Sequence, residues 1–237
     1  GPGSFDDARY GRSRVVAKGA VGTTGHGVRF RDLDVTLDPL QVGMARTFVS
    51  TLPIAGSVSG SARLNGETDR QLQVRTDLTH TDAGLRSRIA GNAALRLGKT
   101  PWMDVDARLL PLSLTEVGKF VPAAGLQGAA VGPVRATGDL RNLAIDARLA
   151  LAGGGNLDAR GTVDLASKDK GYDVSAQMRV FNAKSVVAKA PATSLTATAF
   201  ARGRGGLDAR RGDGEAGKDD HDDRGHAAAG HVHLLPP

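Results

Sequence analysis

The chain has 237 residues, with 31 lysines and arginines against 25 aspartates and glutamates, six histidines and no cysteine. Without cysteine, neither a disulfide framework nor a thiolate zinc site is available, and no apolar run approaches the roughly 20 residues that cross a bilayer as a helix. Aromatic residues make up only 4%, too few to supply the stacking platforms that single-strand nucleic-acid binders interleave with basic residues, so nucleic acid is not expected as a partner.

Gly1-Pro2-Gly3-Ser4 is a string that tag removal leaves behind and that native sequence also allows, so residues 1–11 are set aside as a lead-in. From Arg12 the pattern predicts a strand near 15–21, a glycine-rich turn at 23–27, and a strand over 28–37 that Asp38-Pro39 breaks. Leu40, Met44, Phe48 and Val49 then fall at the spacing of a short amphipathic helix. Strands follow at about 54–64, 71–80, 85–97 and 102–109. The short turns between them, such as Asn65-Gly66, favour antiparallel neighbours.

The run from Arg31 to Trp102 is then written again, with drift, from Met103 to about Tyr172. Pro39 and Pro111, Leu40 and Leu112, Phe48 and Phe120, and Val49 and Val121 are separated by one constant spacing. The second copy predicts a helix over 113–121, with Ser113 as N-cap, Glu116 three residues on and Pro122 as its stop. Strands near 126–137, 143–151, 156–165 and 172–181 follow, then two weaker ones near 185–190 and 194–202. Two continuous β-repeat regions result, 12–102 and 103–202.

Within the strands, residues alternate. MDVDARL places Met103, Val105, Ala107 and Leu109 on one face and Asp104, Asp106 and Arg108 on the other, because successive side chains point oppositely. The same reading puts Leu33, Val35 and Leu37, then Leu72, Val74 and Leu78, then Ile89 and Leu95 on an apolar face. In the second region Leu143, Ile145 and Leu149 join it, followed by Leu157, Val163 and Leu165, then Val174 and Met178. The lining is aliphatic, with almost no charge.

Beyond Arg202 the composition changes to charges, glycines and histidines, and 203–237 reads as a disordered tail. His221, His226, His231 and His233 beside Asp219, Asp220, Asp222 and Asp223 admit a metal site, but a flexible acidic, His-rich tail or a non-native end is the favoured reading and no metal site is assigned. Of the basic and acidic residues, 5 and 7 lie at 204–237, which leaves a net charge of +8 on the rest. That excess suits a solvated strand face or an anionic surface such as lipid headgroups.

No phosphate-cradling loop or other cofactor motif is present: Gly98-Lys99-Thr100 lacks the leading glycine. His26 and His80 stand apart from any nucleophile pattern and read as exposed strand or turn residues, while Asp104 and Asp106 read as surface. No enzyme and no cofactor are expected.

One short helix per repeat is too little to cover the apolar face. Either the sheet closes on itself as a filled sandwich or barrel, or it stays open as a trough for an apolar ligand. At this point the phrases LPIAGSVSGSARLNGETDRQLQVRTDL and VPAAGLQGAAVGPVRATGDLRNLAIDARL matter. Each has a proline, a Gly-x-x-x-Gly strand, a turn at Gly66 or Gly138, a leucine at Leu72 or Leu143 and an alternating strand. They resemble the recurring phrase of the AsmA and TamB superfamily of bacterial envelope proteins, over roughly residues 12–202.

The resemblance implies an all-β fold with short helices: a repetitive antiparallel meander curled into an open U-shaped β-groove. It also implies a periplasmic protein, held to the inner membrane by an anchor outside this fragment, that carries phospholipid toward the outer membrane. In the TamB branch an outer-membrane barrel is a partner. The competing reading is a closed β-sandwich or β-solenoid module of a surface protein, with no lipid ligand.

Overall fold

The computed structural model describes residues 2–7, 11–45, 55–119, 125–167, 170–204 and 231–235. Thirteen strands form one antiparallel sheet in strict sequence order, β1 (Pro2–Asp7), β2 (Gly11–Thr23), β3 (Val28–Gln41), β4 (Ser57–Glu67), β5 (Gln71–Asp82), β6 (Leu85–Arg96), β7 (Trp102–Ser113), β8 (Ala129–Asp139), β9 (Asn142–Leu151), β10 (Asn156–Asp164), β11 (Gly171–Phe181), β12 (Leu195–Arg204) and β13 (His231–Leu235). The order ends at β13 without returning to β1, so the sheet is an open meander, not a barrel. This is the repetitive antiparallel fold expected from the alternation.

The helical elements are short. Helix α1 (Val42–Ala45) follows β3, α2 (Leu114–Gly118) follows β7, and a 3-10 turn at Ala183–Ser185 follows β11. The structural repeat is therefore four strands and one helical turn, with a third unit under way at β11. All three helical elements sit at the same rim of the sheet, since β3, β7 and β11 run in the same direction. Just before each one the register shifts, between Leu37 and Leu40, between Leu109 and Leu112, and between Met178 and Phe181. Such bulges bend and twist the strand that carries them.

These bulges correct one expectation. Pro39 does not break its strand, since β3 continues to Gln41, and β7 likewise runs through Pro111 to Ser113. Proline is tolerated where the ladder is already interrupted, and each lies inside the shifted interval. The weaker strand expected near 185–190 is also corrected: this stretch is the 3-10 turn and a single bridge from Val187 to Leu126. Pro2–Asp7, set aside as lead-in, pairs with β2. At the other end β12 reaches Arg204 and His231–Leu235 pairs with β12, so the reading of 203–237 as disordered does not hold there. The rest of that tail, and the helix positions Phe48, Val49, Phe120 and Val121, lie outside the described residues.

Two glycines in strand interiors show why the Gly-x-x-x-Gly phrase recurs. Gly60 and Gly132 have φ of +133° and +151°. A Cβ would lie 2.1 Å from the Asp77 carbonyl oxygen at the first and 1.9 Å from that of Arg148 at the second. The backbones of adjacent strands approach too closely there for any side chain.

Among the described residues the substantial contacts run only between sheet neighbours, with α1 on β3 and α2 on β8. Among the described residues no second layer covers either face. The buried apolar side chains are Val42, Leu72, Leu109, Ala130, Leu143 and Leu151. Leu72 and Leu143 lie near the rim opposite the helices, and the other four toward the helix-bearing rim. At the first of these rims the turns are tied by Leu97 N–H to the Thr68 carbonyl (2.6 Å) and, in the next unit, Leu165 N–H to the Leu140 carbonyl (2.6 Å). None of the described residues covers the middle of the apolar face.

Candidate functional site: a charge-free lane across the strands

Register turns the alternating strands into rows that run perpendicular to them. One row passes from Ala17 through Val35, Ala62, Thr76, Gly91 and Ala107. It continues through Val134, Ala147, Ala159 and Ala176 to Ala199. It is unbroken over the eleven strands β2–β12, and nothing in it is larger than valine. At about 4.8 Å per strand it is roughly 48 Å long.

Larger side chains stand on either side. Toward the helix-bearing rim are Leu37, Leu78, Ile89 and Leu109, then Leu149, Leu157 and Met178. Toward the other rim are Leu33, Leu64, Val74, Val105, Ile145 and Val174, with Ala93, Ala136 and Gly161 between them. Beyond these lies Phe30, Leu72, Leu95, Met103, Leu143, Val163 and Tyr172, again with glycines between. None of the four rows contains a charged residue.

Two residues of strand separate the flanking rows from one another on each side of the small one, so the walls stand about 13 Å apart. That width takes one extended hydrocarbon chain, or two side by side. Most of these side chains are half-buried by their own neighbours, and Ile89 remains 38% exposed.

The structure thus brings together on one face eighteen of the nineteen lining residues read from the sequence. The exception is Leu165, which lies one residue past the end of β10 and is 47% exposed. What the sequence reading did not isolate is the small-residue row between Leu37 and Leu33. Its members look unremarkable in any one strand and become a feature only when the register is known.

The opposite face is polar and laced with ion pairs. Asp106 lies opposite Arg135 with the charges 3.0 Å apart, and Asp146 opposite Arg160, also 3.0 Å. Asp77 receives two hydrogen bonds from Arg88, at 2.8 and 2.7 Å, which hold its carboxyl below the usual carboxylate range. These pairs are exposed, so water and salt screen them and each contributes little to stability. Asp104 accepts from the Thr137 hydroxyl at 2.8 Å on the same wet face.

One polar cluster interrupts the apolar face at the helix-bearing rim. His80 Nδ1 lies 2.7 Å from Glu116 Oε1 and its Nε2 lies 2.6 Å from the Ala55 carbonyl oxygen. Ser87 donates to Glu116 Oε2 and accepts from the Ser113 N–H at 3.0 Å. Ser113 caps α2 as expected, accepting from the Glu116 N–H at 3.4 Å. The expectation that His80 is an exposed residue is therefore corrected: its side chain is only 15% exposed, with Nε2 against the Ala55 carbonyl. His26 is exposed in its turn, as read. Among the described residues no group of His, Cys, Asp and Glu has the arrangement of a metal site.

No protein-family model, curated protein or solved structure matches the chain.

Proposed function

We propose that this chain is the conduit segment of a bridge-like lipid carrier, in which phospholipid acyl chains lie in the small-residue lane and headgroups stay in water at the rim. The observation that carries this reading is the lane itself: an unbroken, charge-free path of small residues across eleven strands, over which the described residues place no second layer. Leaving so much apolar surface in contact with water is unfavourable for a monomeric protein unless something apolar covers it.

The repeating walls offer near-equivalent contacts every few ångströms, so a chain moves along them without a deep trap, and no chemistry is required. The resemblance to the AsmA and TamB superfamily adds the setting: a periplasmic protein anchored in the inner membrane by a segment outside this fragment, with an outer-membrane barrel as partner in the TamB branch. No cofactor enters this reading.

Native mass spectrometry of the chain purified from a bacterial host, with lipid extraction, tests it. Co-purifying phospholipid is expected, and it should fall at least about tenfold in Val105→Asp and Ile145→Asp, because a carboxylate in an apolar path costs several kcal/mol unless it finds water or a partner. Circular dichroism should be unchanged, since no packed layer is disrupted. A lipid-free protein that takes up no added fluorescent phospholipid, or variants that simply unfold, would move the assignment to a structural β-module.

A further inference from the structure

The two long rims of the sheet are built from different turns. At the helix-bearing rim the hairpins are Ala83-Gly84, between β5 and β6, and Ala152-Gly153-Gly154-Gly155, between β9 and β10, and none of these residues is charged. At the opposite rim each of four successive hairpins carries a cation: Arg70 between β4 and β5, Lys99 between β6 and β7, Arg141 between β8 and β9, and Lys170 between β10 and β11. All four are exposed. Successive hairpins at one rim are two strands apart, so the cations recur about every 10 Å. The turns are tied in pairs, Leu97 N–H to the Thr68 carbonyl and Leu165 N–H to the Leu140 carbonyl, so backbone fixes that spacing.

The acids of the same turns are turned inward. The Glu67 side chain is 16% exposed against 81% for Arg70, which lies 3.7 Å from it, and it accepts from Arg29 at 2.6 Å. Asp69 has Oδ1 buried beside Gly27. Asp139 Oδ1 accepts the backbone N–H groups of Arg141 and Asn142 at 2.7 and 3.1 Å. Asp164 Oδ1 accepts those of Ala166 and Ser167 at 3.0 and 2.9 Å. Bonds from Ser167 chiefly, and the charge of Arg141 last, hold the Asp164 carboxyl below its usual range. Lys168 and Asp169, of opposite charge, lie outside the described residues. The carboxylates thus close the turns, and an anion that approaches this rim from water meets guanidinium and ammonium groups first.

We propose that the rim opposite the helices is the headgroup side of the lane and selects phospholipids of net negative charge, whose phosphates it holds at the hairpin cations. The inference rests on the reading of the lane as an acyl path, and adds which rim and which lipid. Ala147 of the lane is about 20 Å of strand from Arg141, and Thr76 is the same distance from Arg70. Half of a bilayer core, the depth one acyl chain reaches, is about 15 Å. With its phosphate at a turn, a lipid therefore lays its tails over the apolar rows on that side and ends them at the lane. A zwitterionic headgroup brings a cation of its own beside the phosphate, which the rim repels; an anionic headgroup does not.

The whole chain, incubated with vesicles of equal parts phosphatidylglycerol and phosphatidylcholine, recovered and read by native mass spectrometry, tests this. The bound lipid should be enriched in phosphatidylglycerol about fivefold over the vesicles, the effect of one lysine or arginine near an anionic headgroup. Arg70→Gln, Lys99→Gln and Arg141→Gln together should return the ratio to that of the vesicles while lipid is still bound. The same loss of charge on the polar face, in Arg75→Gln, Arg86→Gln and Arg108→Gln together, should keep the enrichment. All six side chains are exposed, so neither set removes a packed group, and circular dichroism should be unchanged in both. Equal binding of the two lipids by the parent, enrichment that survives in the rim variant, or equal losses in the two variants would overturn the rim and leave the lane standing. A parent that takes up neither lipid overturns the lane reading and the rim with it.

Discussion

The corner where β3 passes through α1 into β4 and the corner where β7 passes through α2 into β8 are built on one backbone plan and finished with different side chains. In both, the strand bulges before the helix. In both, a buried serine on the preceding strand accepts the N–H of the residue before the helix, Ser13 from Gln41 and Ser87 from Ser113, each at 3.0 Å. In both, the first helical N–H reaches a glycine carbonyl, Val42 to Gly56 and Leu114 to Gly128, each at 2.9 Å. By the spacing that relates Pro39 to Pro111, the first corner has Gln41 and Met44 where the second has Ser113 and Glu116. The backbone device is common to the two corners, and the buried contact of Glu116 with Ser87 and His80 is an addition at one of them.

The most severe way to probe the shared part is to crowd the strand crossings. Gly60→Ala and Gly132→Ala each force a Cβ to within about 2 Å of a neighbouring carbonyl at a positive φ. Each should destabilise its unit on the order of 3 kcal/mol. Urea unfolding of both variants should show similar losses, and a near-neutral result at one would mean that the two crossings are not equivalent.

A smaller effect separates the corners. Ser13→Ala removes one acceptor from a buried N–H and should cost about 1–2 kcal/mol. Ser87→Ala removes the same acceptor and also the donor to Glu116, so its loss should exceed that of Ser13→Ala by about 1 kcal/mol. Equal losses would show that the Glu116 contact contributes nothing at this pH.

The parts of this architecture that follow from local period were legible in the sequence. Met103, Val105 and Leu109 fall on one face because alternation allows nothing else, and the doubled phrase around Pro39 and Pro111 announces a repeat. Boundaries failed where two local rules competed. Pro39 signals a strand end, yet a bulge removes the ladder bond that proline lacks, and the strand continues to Gln41. The lane of small residues needs register across strands, since Ala107 meets Gly91 and Val134 only after three strands are aligned. His80 and Glu116 are far apart in sequence and meet only because β5, β6 and β7 lie side by side with α2 at the end of β7; neither has a local signal beyond the cap at Ser113.

The smallest expected effect concerns acid. Lys119 donates to Asp82 at 2.6 Å, and this bond, more than the nearby charge of His80, holds the Asp82 carboxyl below its ordinary value of 3.8. A carboxyl depressed in the folded state contributes stability that is fully present above its unfolded value and is lost as the pH falls through its folded value. The tie beside α2 should therefore persist as acid is added past pH 3.8 and give way only below it. In Lys119→Ala that protection is removed, Asp82 returns toward its ordinary value, and amide hydrogen exchange in 113–118 should begin to rise near pH 3.8. At neutral pH the same variant should lose only about 0.5–1 kcal/mol, as a partly exposed pair does. By the sequence spacing of Pro39 to Pro111, the counterpart of Lys119 is Thr47, which carries no charge. Adding a lysine there should leave the acid response of the second corner unchanged. If Lys119→Ala had no effect on the acid response, the Asp82 bond would be a bystander, and the distinction between the corners would rest on His80 and Glu116 alone.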